Sequence, residues 1–138
     1  MEYIDTVKDY LHRCRDNLNI IKNNKGYEVT QLLSNFISCL IFIKENILID
    51  ENPIAENGLQ CKIIDNSYKI NFENNTKEFI RHLRNACCHY AIKIQSKNNE
   101  IYKIEFSDKG TKYQCKFELT INQIESVYNY LLGLINTK

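Results

Sequence analysis

The sequence predicts a mainly helical α+β domain, four helices with an antiparallel β-hairpin inserted before the last of them. Three observations carry that prediction. Apolar residues recur at spacings of three and four over residues 2–23, 28–49, 75–90 and 121–135, the pattern of helices with one buried face. Between residues 90 and 119 the period drops to two, that of strands with one buried side. Capping residues stand where two of the helical periods begin, Asn75 with Glu78 and Thr120 with Gln123.

Taken in order, Tyr3, Val7, Tyr10, Leu11, Cys14, Leu18 and Ile21 form the stripe of a first helix over 2–23, with Lys8, Arg13, Arg15 and Asp16 outward and Gly26 closing it. A second helix over 28–49 buries Val29, Leu32, Leu33, Phe36, Leu40, Ile43 and Ile47. Its segment Phe36 to Ile43 is apolar nearly all round, which suits a central core helix or a helix at a dimer contact. That segment is far too short to span a membrane. Pro53 ends this helix, and Cys61–Ile64 and Tyr68–Phe72 read either as two short strands about Asp65-Asn66-Ser67 or as irregular loop. The third helix runs from Asn75 to Tyr90, with Phe79, Leu83, Ala86, Cys87 and Tyr90 on its buried stripe. Its other side carries Arg81, His82, Arg84, Asn85, Cys88 and His89, which cannot all face the core, since cations are almost never fully buried unless paired. Tyr90, Ile92 and Ile94, then Tyr102, Ile104 and Phe106, then Tyr113, Cys115, Phe117 and Leu119 alternate with polar residues; Ser107-Asp108-Lys109-Gly110 supplies a turn between the last two runs. The lysines and tyrosines of that hairpin could form an RNA platform, and ordinary one-sided strands account for the same pattern. The last helix buries Ile121, Ile124, Val127, Tyr128, Leu131, Leu132 and Ile135, and carries Gly133, which a close helix crossing would explain.

At 138 residues the chain is read as a single domain, 1–138, long enough to bury a core without disulfides or metal. Lys plus Arg number 18 against 17 Asp plus Glu, a net charge of +1. That balance excludes a nonspecific nucleic-acid coating protein but allows a local basic cleft. Cys14, Cys39, Cys61, Cys87, Cys88 and Cys115 form no C-x-x-C pair, and four of them fall in apolar positions. They are expected to be reduced side chains of a cytoplasmic protein, neither disulfides nor zinc ligands. The charged, amphipathic N-terminus does not read as a signal peptide.

The chemistry concentrates in R-N-A-C-C-H, Arg84 to His89. The chain holds 18 cations, of which four are arginine, and two of those four lie in this one helix. Arginine is the side chain whose planar fork clamps phosphate oxygens. Asn85 and His89, four apart, can meet on a helix, so the amide could fix the imidazole tautomer. Arg84 and His89, five apart, differ by about 140° around the axis and about 7.5 Å along it. A working site therefore needs the helix to end or bend near His89, or a second copy of the helix, most simply across a twofold axis. A structural reading also fits: Arg84 paired with an acid such as Glu78 or Glu125, and His89 capping or packing a helix end.

HLRNACCH, on a helix that follows two long amphipathic helices and precedes a hairpin and a last helix, resembles the signature of the HEPN superfamily, whose hallmark is an arginine, often followed by Asn, Asp or His, then a histidine four to six positions on. The order of elements is similar to that of small stand-alone members associated with plasmids and anti-phage defence. The resemblance implies a HEPN-like four-helix bundle and a metal-independent, cofactor-free endoribonuclease of toxin or defence type, acting on RNA as a homodimer with a composite cleft. It implies that His89 moves a proton during attack of the ribose 2′-hydroxyl, that Arg84 holds the phosphate, and that Asn85 orients His89. Arg81 and His82, on the same polar side, are expected to bind substrate. An antitoxin or regulatory protein is a possible partner; no membrane is. One branch of the family carries a tyrosine two positions after the histidine, where this chain has Ala91. The competing class is a HEPN-like nucleotide- or RNA-binding module or scaffold without catalysis; a purely structural interaction protein is a third.

Overall fold

The computed structural model describes residues 3–23, 28–42, 49–66, 72–98, 100–109 and 114–136. Among them are helices α1 (Tyr3–Asn23), α2 (Glu28–Phe42), α3 (Thr76–Cys88) and α4 (Ile121–Asn136), and strands β1 (Lys62–Asn66), β2 (Ile92–Lys97), β3 (Glu100–Lys109) and β4 (Gln114–Thr120). The strands form one antiparallel sheet in the order β1-β4-β3-β2. The α+β class is as the sequence predicts, but the sheet is larger than a hairpin and the helices are not a bundle closed on themselves. One face of the sheet is a wall of the core.

The aromatic residues show how the layers join. Phe36 of α2 meets Phe106 of β3 edge-on at 6.1 Å, Phe106 stacks on Phe117 of β4 at 5.8 Å, and Phe117 meets Phe79 of α3 at 5.8 Å. All four side chains are essentially fully buried, and such pairs add to the stabilisation their burial already provides. A second junction is polar: buried Asn35 of α2 donates from Nδ2 to the Cys14 carbonyl of α1 at 2.7 Å and to the Tyr128 hydroxyl of α4 at 3.3 Å. Three helices are thereby held in one register, since each broken bond would leave a buried polar group unsatisfied.

Several boundaries differ from the sequence reading. Ile49 and Asp50 are irregular, so the second helix does not reach 49; Gly26, Ile43 and Ile47 lie outside the described residues. Ile41 is 43% exposed, so the apolar segment of α2 is not enclosed on every side. Pro53 leads into a 3-10 turn, Ile54–Asn57, closed by Gly58 at φ 72°, a left-handed conformation that glycine adopts without steric cost. Strand β1 runs through Asp65 and Asn66, read as turn residues, because its inner neighbour β4 pairs with them at Lys116 and Cys115. The proposed strand Tyr68–Phe72 falls largely outside the described residues, and Phe72 begins a 3-10 turn. Strand β3 continues through Ser107, Asp108 and Lys109, paired with Lys116, Cys115 and Gln114, so these three extend and do not turn; Gly110 lies outside the described residues. Gly133 faces solvent, and a Cβ built there meets nothing within 4 Å; no close helix crossing accounts for it. On the outer sheet face Lys103 and Lys62 lie 3.1 and 3.8 Å from the Glu118 carboxylate.

Other local readings are met in atomic detail. Thr120 and Gln123 form a reciprocal capping box at 2.9 and 3.3 Å. The α4 stripe is buried from Ile124 to Ile135, with Ile121 packed at its margin. All six cysteines are free.

Candidate functional site

Helix α3 lies on the inner face of the sheet, where Phe79 meets Phe117 of β4 and, further along, His82 and Asn85 reach Asp108 of β3, and three residues after its last turn the chain enters β2 at the sheet edge. Its first turn is anchored to the segment that precedes the first 3-10 turn. The Thr76 and Lys77 amides donate to the carbonyls of Asn52 and Asp50 at 2.8 and 3.1 Å, and the Asn75 side chain accepts from the Glu78 amide at 3.1 Å. Asn75 therefore caps the helix as the sequence indicates. Glu78 does not complete a reciprocal box, because its carboxylate is taken by Arg81 at 2.7 Å.

The polar side of α3 divides in two. Arg81 is exposed and paired with Glu78, a surface contact of small energetic value. His82 is instead fully buried. Its Nδ1 lies 2.6 Å from Oδ2 of Asp108, and since a carboxylate only accepts, Nδ1 carries the proton. Asn85, one helical turn on, donates from Nδ2 to the same oxygen at 3.1 Å. Two corrections to the sequence reading follow. His82 is beyond the reach of a substrate in this conformation, because it turns inward to a buried acid. The Asn85 amide is committed to Asp108, so its contact with His89 is through the backbone, its carbonyl accepting the His89 amide at 3.0 Å.

Ser107-Asp108-Lys109-Gly110 has the composition of a turn, which masks Asp108 in the sequence. A signal was nevertheless present: continuing the period of two from Ile104 and Phe106 assigns Asp108 to the core side. In the structure it is 7% exposed, and it accepts from two residues of α3. It ties the helix to the centre of the sheet.

Beyond this anchor are the two motif residues. Arg84 is half-buried and, among the described residues, makes no ion pair, whereas Arg13, Arg15 and Arg81 each have a carboxylate within 4.0 Å. Neither acid considered for it is its partner. His89 is exposed and is the C-cap of α3, with φ −98° and ψ 10°. The helix thus ends at the histidine, one of the two conditions the five-residue spacing imposes. The termination is a Schellman motif: the Tyr90 amide donates to the Cys87 carbonyl at 3.2 Å and the Ala91 amide to the Ala86 carbonyl at 2.8 Å, with Tyr90 at φ 55°. The Ala91 carbonyl then accepts from the Ser107 amide of β3 at 2.9 Å, so the turn is also fixed to the sheet. Tyr90, read as the end of the buried stripe, is 90% exposed, because the left-handed residue swings the chain away from the core. Phe79, Leu83, Ala86 and Cys87 are buried as expected, and burial pushes the Cys87 thiol up to about 12.

Arg84 and Asn85 thus lie within the last five residues of α3 and His89 at its cap; Asn85 is held by the buried acid, the terminus is ordered by its backbone bonds, and His89 is open to solvent. A polar groove of about 260 Å³ elsewhere, lined by Gly58, Gln60, Asn122, Gln123 and Ser126, contains none of them. Among the described residues no three His, Cys, Asp or Glu side chains are grouped to hold a metal ion, and no helix is long and apolar enough to cross a membrane. Comparison with curated proteins and with solved structures finds no match. Residues 1–138 match the family model described as HEPN pEK499 p136.

Proposed function

The chain belongs to the HEPN pEK499 p136 family, and on that premise we propose that it is a metal-independent endoribonuclease of toxin or anti-phage defence type, working in the cytoplasm as a homodimer. The observation that carries the reading is the contrast among the arginines: Arg84 alone among the described ones lacks a carboxylate partner, yet it is half-buried, five residues before the exposed histidine that caps the same helix. Holding a guanidinium partly out of water without a partner is unfavourable unless an anion arrives to meet it.

In the proposed reaction an imidazole of His89 takes the proton from a ribose 2′-hydroxyl. The O2′–P bond forms as the P–O5′ bond breaks, and the departing O5′ takes a proton from an imidazolium. The products are a 2′,3′-cyclic phosphate and a 5′-hydroxyl. Arg84 forks onto the phosphate oxygens and stabilises the charge that accumulates on them. Two imidazoles in opposite protonation states serve the two proton transfers better than one. A second copy of the chain supplies the other, which also answers the angular separation of Arg84 and His89 on a single helix. Asn85 acts by holding the helix end to β3 through Asp108, and Arg81, exposed one turn before the site, is available to a neighbouring phosphate in exchange for Glu78. An antitoxin or regulatory protein would act by covering this helix end.

The test is incubation of the purified chain with total RNA in excess chelator, beside folded His89→Ala and Arg84→Ala. The expected result is new fragments ending in 2′,3′-cyclic phosphate that vanish in both variants. Absence of cleavage across several RNA pools refutes the nuclease; nucleotide or RNA binding without cleavage would identify a non-catalytic module instead.

A further inference from the structure

Three described residues have a left-handed backbone: Gly58, Asn98 and Tyr90. Glycine and asparagine tolerate that conformation, and the chain uses them at the two sites away from the motif. At the third, where a Schellman terminus ordinarily takes glycine, it places a tyrosine. Nothing in the fold repays that choice, because the ring is 90% exposed. The residue therefore carries backbone strain and an exposed aromatic surface together, immediately after His89. Strain that the surrounding structure holds in place and does not relieve points to a functional demand on the side chain. The support here is the two Schellman bonds and the Ser107–Ala91 bond, at 3.2, 2.8 and 2.9 Å.

We propose that Tyr90 is a substrate-binding residue that stacks an unpaired RNA base next to the phosphate held by Arg84 and His89. This rests on the reading of those two residues as an RNA site. The chemistry gives the stacking a purpose. Attack by a 2′-oxygen requires it to approach in line with the P–O5′ bond, and bases stacked regularly on one another do not present that geometry. A base drawn out of the strand onto a rigid aromatic face keeps the flanking phosphate in a reactive conformation. Every base has a π-face, so Tyr90 would select single-stranded RNA without dictating its sequence. The turn's rigidity matters because a mobile ring would have to be ordered at each binding event.

The fold supplies an unusual control. Tyr90→Gly removes the ring while placing the preferred residue in the left-handed turn, so the variant is expected to fold with a melting temperature at or above that of the wild type. The probe is a single-stranded 2′-O-methyl oligoribonucleotide carrying one 2-aminopurine, which cannot be cleaved for lack of a 2′-hydroxyl. Wild type and Tyr90→Phe are expected to bind it alike and to quench the 2-aminopurine. Tyr90→Gly is expected to bind roughly 10- to 100-fold more weakly with the quenching lost. Equal affinity of Tyr90→Gly and wild type overturns the proposal, as does a Tyr90→Phe variant as weak as Tyr90→Gly. A Tyr90→Gly chain that turns from dimer to monomer also overturns it, since the ring would then be a contact between copies; so does a wild type that does not bind the probe. Cleavage of unmodified RNA in chelator, run beside it, separates the two readings. Cleavage unaffected by Tyr90→Gly refutes the stacking role alone, and stacking without cleavage by the wild type refutes the nuclease alone.

Discussion

Removing the Asp108 carboxylate is the most direct perturbation of how this protein holds its motif helix. The carboxylate is 7% exposed, His82 is fully buried, and Oδ2 accepts from His82 Nδ1 at 2.6 Å and from Asn85 Nδ2 at 3.1 Å. Asp108→Ala strands two donors in a poorly hydrated site. Each orphaned buried donor costs roughly 1–3 kcal/mol, and with His82 fully buried and Asn85 partly so the two together are worth about 3–5 kcal/mol. For 138 residues an unfolding entropy of about 2.1 cal/mol/K per residue gives roughly 0.3 kcal/mol/K, so the expected fall in Tm is about 10–17 °C. Asp108→Asn keeps the shape and one acceptor, and should lose only about 1–2 kcal/mol. Urea unfolding followed by far-ultraviolet circular dichroism, at one fixed protein concentration, measures both, and His82→Ala with the double variant completes a cycle whose coupling should exceed about 1 kcal/mol. An Asp108→Ala chain within about 1 kcal/mol of wild type at unchanged m-value, or a coupling near zero, would refute the claim that this acid anchors the helix.

Two further outcomes test separate parts of the structure. Gly133 is exposed in the interior of α4 with open space where a Cβ would stand, so Gly133→Ala should stabilise by about 0.5–1 kcal/mol; a loss in urea midpoint would show that the glycine is needed for something else. Burial pushes the thiols of Cys39, Cys87 and Cys115 up from 9.0 to about 12. The folded state therefore keeps these protons when the unfolded chain begins to release them near pH 9. Their contribution is fully present below that pH and is lost as pH rises through about 12, with a slope of at most about 1.4 kcal/mol per pH unit for each thiol. A urea midpoint that stays constant from pH 8 to 10.5 would contradict their burial.

What the sequence by itself determined is what local physics decides. The start of α3 was legible because Asn75 accepts the amide of Glu78 only three residues away, and the start of α4 because Thr120 and Gln123 satisfy each other. The stripes Phe79-Leu83-Ala86 and Ile124 to Ile135, the alternation of β3 and β4, and the arginine and histidine of the motif could be read the same way. Each rests on a period or a spacing within one element. Tertiary structure decided the rest. Whether Asp65 and Asn66 turn or extend depends on β4, some fifty residues later in the chain. Whether His82 faces solvent or core depends on an acid 26 residues away, in a run whose composition alone suggests a turn. The Asn85 amide was drawn by the same acid, because a buried carboxylate with two oxygens must find donors wherever the fold brings them. Tyr90 continued the apolar stripe in one dimension, and left it in three because the helix ends one residue earlier at His89. Periodicity reports which side of an element is apolar; only packing determines which polar groups are enclosed with it, and their desolvation then dictates which of them must pair.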